Sequence, residues 1–241
     1  MKYLLTISLI LIGLSISAQE TITLTAGDGL EITADTYIKH PKDAPFIILF
    51  HQAGCSRGEY LEIAPKLNEL GYNCLAIDQR SGNKVNDVEN LTSKKAKEAK
   101  KDTKFVDAFQ DIEAAVNYVQ QTFPTTKIII WGSSYSSSLV LKYAGDNPDN
   151  IQGVLAFSPG EYFKSKDFIQ SSAATIKCPS FITSAKGEKG RWWEIHQAIP
   201  TKTKAFYLPS TAGNHGSRAL WEKFSDNEGY WEAVKDFLAG I

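Results

Sequence analysis

The sequence predicts one α/β domain built on a mostly parallel sheet flanked by helices, with an antiparallel hairpin at one edge, and three observations carry the prediction. Runs such as "PFIILF" (45–50) and "KIIIW" (127–131) are apolar without polar alternation, as strands covered on both faces must be. They alternate with helical segments, the clearest having Phe105, Phe109, Ile112, Val116 and Val119 in steps of four and three. Ahead of them, "TITLT" and "LEITADTYIKH" flank the turn "AGDG", which is a hairpin signal.

The elements then follow in order. After the strand at 45–50 comes the loop "HQAGCSRGEY" and a helix over about residues 60–70 that Gly71 closes; Pro65 inside it predicts a separate turn before the helix proper. "YNCLAIDQR" is the next strand, a charged loop of about twenty residues follows, and the amphipathic helix comes after it. The strand "KIIIW" leads to a helix carrying Leu139, Val140, Tyr143 and Ala144. "GVLAFSPG", "PSFITSA" and "KAFYLPS" supply three further strands with helical segments between or after them. Repeats, low-complexity tracts and a second-domain boundary are absent from the sequence, and no stretch is long enough for a large cap.

A chain of 241 residues with net charge −1, 43% hydrophobic and 22% charged content suits a single soluble core. The balanced charge excludes phosphate-driven nucleic-acid binding, and the basic run "KKAKEAKKDTK" reads as a solvated helix face or loop. The N-terminus "MKYLLTISLILIGLSISAQE" joins one lysine, an apolar stretch and the small residues Ser15, Ser17 and Ala18. It reads as a cleaved signal peptide over residues 1–18, leaving 19–241 as a secreted or periplasmic domain. The apolar stretch is shorter than the roughly 20 residues of a spanning helix, so no stable membrane insertion is expected after cleavage. Cys55, Cys74 and Cys178 make no C-x-x-C pattern and allow at most one disulfide; Cys74 and Cys178 open predicted strands and read as packing residues. His40, His51, His196 and His215 show no paired spacing, so no metal site is predicted.

The chemistry concentrates where "KIIIW" gives way to a helix, because five serines surround Tyr135 in "GSSYSSS". A strand-to-helix elbow can hold an exposed hydroxyl beside the free N–H groups of a helix N-terminus. Its flanks approach closely, so the residues two before and two after the nucleophile must be small. Ser134 has Gly132 and Ser136 there, whereas Ser133 would have Trp131 and Tyr135. In "TAGNHGSRAL", past the last strand, His215 stands between Gly213 and Gly216 in a loop, where a general base can reach across the sheet top. Two late glutamates can supply the acid: Glu188 in the glycine-flanked "SAKGEKG", and Glu161 in "SPGEYF", whose turn suits a loop-bracing role better. Tyr162, Phe163, Trp192 and Trp193 could rim a pocket, although each taken singly reads as packing ahead of substrate contact.

With "HQAG", "DQRSG", "GSSYS", "SPGEYF" and "NHGSRALW" in this order, the chain resembles the α/β-hydrolase superfamily, most closely its dienelactone-hydrolase-like and prolyl-oligopeptidase-like branches. The resemblance spans nearly the whole of 19–241. It implies a serine hydrolase with Ser134 as nucleophile, His215 as base and Glu188, at the family's usual acid position, ahead of Glu161. It also implies an oxyanion hole formed by the backbone N–H of Tyr135 and one from Ala53 or Gln52, with Ala53 favoured, and His51 holding its loop. Serine stands where dienelactone hydrolases carry cysteine, Ser136 replaces the last elbow glycine, and the acid loop has no aspartate. The expected activity is cleavage of a small-molecule carboxylic ester through an acyl-enzyme, with no cofactor. A serine peptidase of the same fold is the alternative, and a non-catalytic binding protein is an alternative of another class.

Overall fold

The computed structural model describes residues 19–163 and 165–241. The leader read over 1–18 lies outside the described residues.

Two antiparallel strands, β1 (Glu20–Thr25) and β2 (Glu31–Tyr37), open the chain, and Gly29 takes φ +80° in the turn between them. There follow β3 (Phe46–Phe50), α1 (Ile63–Glu69), β4 (Asn73–Ile77), α2 (Leu91–Glu98), α3 (Phe109–Thr122), β5 (Ile128–Ser133) and α4 (Tyr135–Asp146). The chain ends with β6 (Gly153–Phe157), α5 (Phe168–Ala173), β7 (Ser180–Thr183), α6 (Lys189–Ala198), β8 (Lys204–Tyr207) and α7 (Asn227–Ala239). The sheet order is β1-β2-β4-β3-β5-β6-β7-β8. β2 runs antiparallel to β4, and every pairing from β4 to β8 is parallel.

The unbroken apolar runs are explained by two cores. Phe46, Ile48, Phe50, Ile128 and Ile130 face α3, α4, α5 and α6, while Ile47, Leu49, Ile129 and Trp131 face α1 and α7. Side chains alternate along a strand, so one run feeds both layers. A single-turn 3₁₀ helix, Arg57–Tyr60, precedes α1, and Pro65 falls in the first turn of α1, where its missing N–H costs nothing.

Two expectations need correction. The loop after β4 contains a helix, α2: the Asn90 side chain caps it by accepting from Ser93 N, and its buried residues Thr92, Ser93 and Ala96 are too small and polar to show an apolar period. Phe105 belongs to a 3₁₀ turn over Phe105–Ala108, ahead of α3, and is 39% exposed. The Cys55, Cys74 and Cys178 thiols are free, with Cys74 and Cys178 buried.

Two buried ion clusters fasten the loops at the carboxyl end of the sheet. Arg57 lies 2.9 Å from Asp35 and 2.7 Å from Asp78, and Arg80 lies 2.8 Å from Asp111 and 3.0 Å from Asp28. Among the described residues, no helix is long and apolar enough to cross a membrane.

Candidate active site

β5 ends at Ser133 and α4 begins at Tyr135, leaving Ser134 at the corner with φ +57° and ψ −122°, a conformation rare for any residue but glycine. Closing the corner requires Gly132: a Cβ there would lie 2.5 Å from the Ser136 carbonyl oxygen and from Ser137 N and Cα. The Ser136 hydroxyl sits 2.7 Å from Phe50 O and 2.8 Å from His51 O, tying the corner to the end of β3. Ser138 Oγ donates to Gly160 O at 2.7 Å, and Ser137 Oγ to Ser134 O. The neighbouring serines thus brace the corner and Ser134 alone turns to His215.

His215 Nε2 lies 2.7 Å from Ser134 Oγ, and His215 Nδ1 lies 2.6 Å from Glu188 Oε1. Burial works against the Glu188 charge, but the hydrogen bonds from His215 and Ser158 outweigh it and hold the carboxyl below its usual range. A carboxylate only accepts, so Nδ1 carries the imidazole proton and Nε2 is free to accept the Ser134 hydroxyl proton. The other carboxylate oxygen, Oε2, accepts from Ser158 Oγ at 2.7 Å, and Ser158 Oγ accepts from Gly216 N at 2.9 Å.

Glu161 is turned elsewhere. Its carboxylate accepts from Ile169 N at 3.0 Å and Gln170 N at 2.8 Å, capping α5. In the loop after β3, Gln52 N donates to Glu59 Oε2 at 2.7 Å. That N–H is therefore committed, whereas Ala53 in the next position is exposed. Tyr135 N is the first N–H of α4, a position without an intrahelical acceptor. The Tyr135 ring is fixed by its hydroxyl, which donates to Ser81 O at 3.0 Å. His51 is fully buried; its Nδ1 lies 2.8 Å from Gln52 O and its Nε2 accepts from Gln79 N at 2.9 Å, while burial pushes its pKa down to about 4. It is a neutral brace between two loops.

Glu59 is a member of the site that the sequence does not betray, because a lone glutamate in a polar loop looks like a surface residue. It is wholly buried, and Oε1 accepts from Ser133 Oγ at 2.7 Å. Ser133 Oγ in turn accepts from Ser217 N at 2.8 Å, and Trp131 Nε1 donates to Ser217 Oγ at 2.8 Å. One carboxylate thus joins the loop after β3, the elbow and the loop of His215. Burial pushes its pKa up to about 7 against the hydrogen bonds from Gln52 and Ser133 and the positive charge of Arg218. Ser158 is likewise missed; a serine at φ +58° beyond β6 is its structural mark. Trp192 is fully buried and Trp193 packs on His196 and Phe206, so neither rims the site. Among the described residues, no group of three or more His, Cys, Asp or Glu side chains could hold a metal ion.

A family model described as serine aminopeptidase, S33, matches residues 41–183, more than half of the chain. The chain belongs to that family. The serine aminopeptidase match covers β3 through β7, and thereby the elbow, but ends before Glu188 and His215. An esterase of Pyrococcus furiosus is similar in structure, with a TM-score of 0.72 at 18% identity over 92% of each chain. A dienelactone hydrolase of Anabaena variabilis has a TM-score of 0.72 at 13% identity over 93% of this chain and 98% of its own. Est1E of Butyrivibrio proteoclasticus, with ferulic acid bound, has a TM-score of 0.67 at 15% identity over 90% of this chain and 98% of its own. These likenesses establish the α/β-hydrolase fold that the motif order suggests. No curated protein matches the sequence.

Proposed function

We propose that this member of the serine aminopeptidase family is an exported serine hydrolase that cleaves small carboxylic esters through an acyl-enzyme. Ser134 Oγ attacks the ester carbonyl as His215 Nε2 takes its proton, and Glu188 stabilises the imidazolium. The carbonyl oxygen gains negative charge and accepts from the N–H groups of Tyr135 and Ala53. Collapse expels the alcohol, which receives the proton from His215. Water then repeats the sequence on the acyl-Ser134, releasing the acid and restoring the hydroxyl. Every atom comes from the chain, the ester and water.

The observation that carries the reading is the unbroken hydrogen-bonded chain from Glu188 through His215 to Ser134, at 2.6 and 2.7 Å. The esterases among the structural neighbours agree with it. The family description favours a second reading, release of N-terminal amino acids. Such an enzyme needs a carboxylate to hold the substrate ammonium, and neither late glutamate is free for it: Glu161 caps α5 and Glu188 holds His215. The deciding experiment compares nitrophenyl esters with aminoacyl anilides and maps a fluorophosphonate label. Ester turnover with the label on Ser134 is expected; anilide turnover alone would select the aminopeptidase, and neither turnover nor label would leave a binding protein. Export predicts that protein recovered from its source begins near Gln19, and an intact Met1 would contradict it.

A further inference from the structure

We propose that a cleft beside Ser134 receives a flat, aryl-bearing group of the ester, making aryl-substituted esters the preferred substrates; this rests on the reading of Ser134 as an ester-cleaving nucleophile. The cleft encloses about 580 Å³, within the size range of small-molecule sites. One wall stacks on Tyr135, the residue after Ser134, and the other is tied through Ser158 to Glu188.

One wall is Phe105 and Val106, which remain 39% and 41% exposed. They are two of only four large apolar side chains left exposed among the described residues. Phe105 lies parallel to Tyr135, with ring centroids 4.5 Å apart and planes 15° apart. Tyr135 directly follows Ser134, so this wall, carried by the 3₁₀ turn before α3, leans on the first residue after the elbow. One face of the Phe105 ring is covered by that stack, and its exposure belongs to the other side.

The opposite wall is Tyr162, Phe163 and Phe168. Tyr162 donates from its hydroxyl to Ser158 O at 2.8 Å, and the Ser158 hydroxyl holds Glu188. Phe163 and Phe168 pack with centroids 5.3 Å apart at 57°. This wall therefore hangs from the loop that positions the acid. Aromatic walls on both sides favour a planar ring, which gains offset or edge contacts beyond the area it buries; a straight alkyl chain gains area alone.

The test uses esters of unactivated alcohols matched in carbon number: methyl 3-phenylpropanoate against methyl nonanoate, and benzyl acetate against heptyl acetate. We expect kcat/KM to favour the aryl member by about tenfold or more in at least one pair, the scale on which apolar pockets discriminate. Val106→Asp, a change on an exposed wall that leaves the core untouched, should collapse that preference, and Phe163→Ala should reduce it. Equal rates within both pairs, or a preference that neither variant alters, would overturn the cleft assignment while Ser134 still labels with fluorophosphonate and the small esters still turn over. Failure of labelling and of all four esters would overturn the esterase reading and the cleft with it.

Discussion

Glu59 Oε1 accepts a 2.7 Å hydrogen bond from Ser133 Oγ, one residue before the candidate nucleophile, and both side chains are fully buried. A carboxylate is costly to bury, and this one is tolerated because its oxygens collect donors from the loop after β3 and from the end of β5.

Glu59→Gln keeps the shape but cannot accept with both ends, leaving the Ser133 hydroxyl or the Gln52 N–H poorly paired. A loss of about 1–3 kcal/mol in unfolding free energy is expected by denaturant titration. The pKa raised to about 7 means that the folded form binds its proton more tightly than the unfolded chain. That contribution is fully present below about 4.5 and fades as pH rises through 7, so the stability gap between wild type and E59Q should narrow over that interval.

Ser134→Ala should lower ester turnover by roughly a millionfold with the fold intact, since losses of that order follow removal of a triad nucleophile. Ser136→Ala should instead lower the melting temperature, through its lost tie to the end of β3, while Ser134 still takes up fluorophosphonate. The reverse pattern would move the nucleophile to Ser136.

For the acid, Glu188→Gln should reduce turnover by roughly 10⁴, the scale for a triad carboxylate turned amide. Glu161→Gln should leave turnover near wild type and weaken α5. Because the Glu188 carboxyl is held below its ordinary 4.5, its charge stabilises the fold above that value and ceases to as pH falls through the folded-state pKa. Melting curves of wild type and E188Q should therefore converge in acid; a constant difference would count against the hydrogen bond with His215.

Gly132→Ala places a methyl 2.5 Å from backbone atoms of Ser136 and Ser137, which cannot rotate aside. The expected cost is at the upper end of overpacking, about 3 kcal/mol, with loss of Ser134 labelling. A variant as stable and as reactive as wild type would mean that the corner is looser than its geometry implies.

The sheet is legible in the sequence because β3, β4 and β5 are buried on both faces and must be spelled in unbroken apolar residues. Ser134 and His215 are legible because a tight corner and an exposed loop demand small flanking residues. Glu188 and Glu161 differ only in where their side chains point, so the ranking between them waits on His215 and the α5 N-terminus being placed. Glu59, Ser158 and α2 stay hidden, since a buried polar residue satisfied by distant partners leaves no local pattern. Trp192 and Trp193 stay ambiguous in the sequence for a related reason: α6 has apolar residues on several sides, and only packing decides that Trp192 enters the core.

Ser217 stands two residues beyond His215, yet its N–H and its hydroxyl both terminate on β5, at Ser133 and Trp131. Its amide is fully buried and can trade its proton for a deuteron only after this tie to the central strand opens. The segment is drawn as a connection but should exchange on the clock of global unfolding, among the slowest amides in the chain. Gentle heating should then leave the distance between imidazole and serine unaltered until the whole sheet melts, so that loss of activity and loss of structure fall at one temperature.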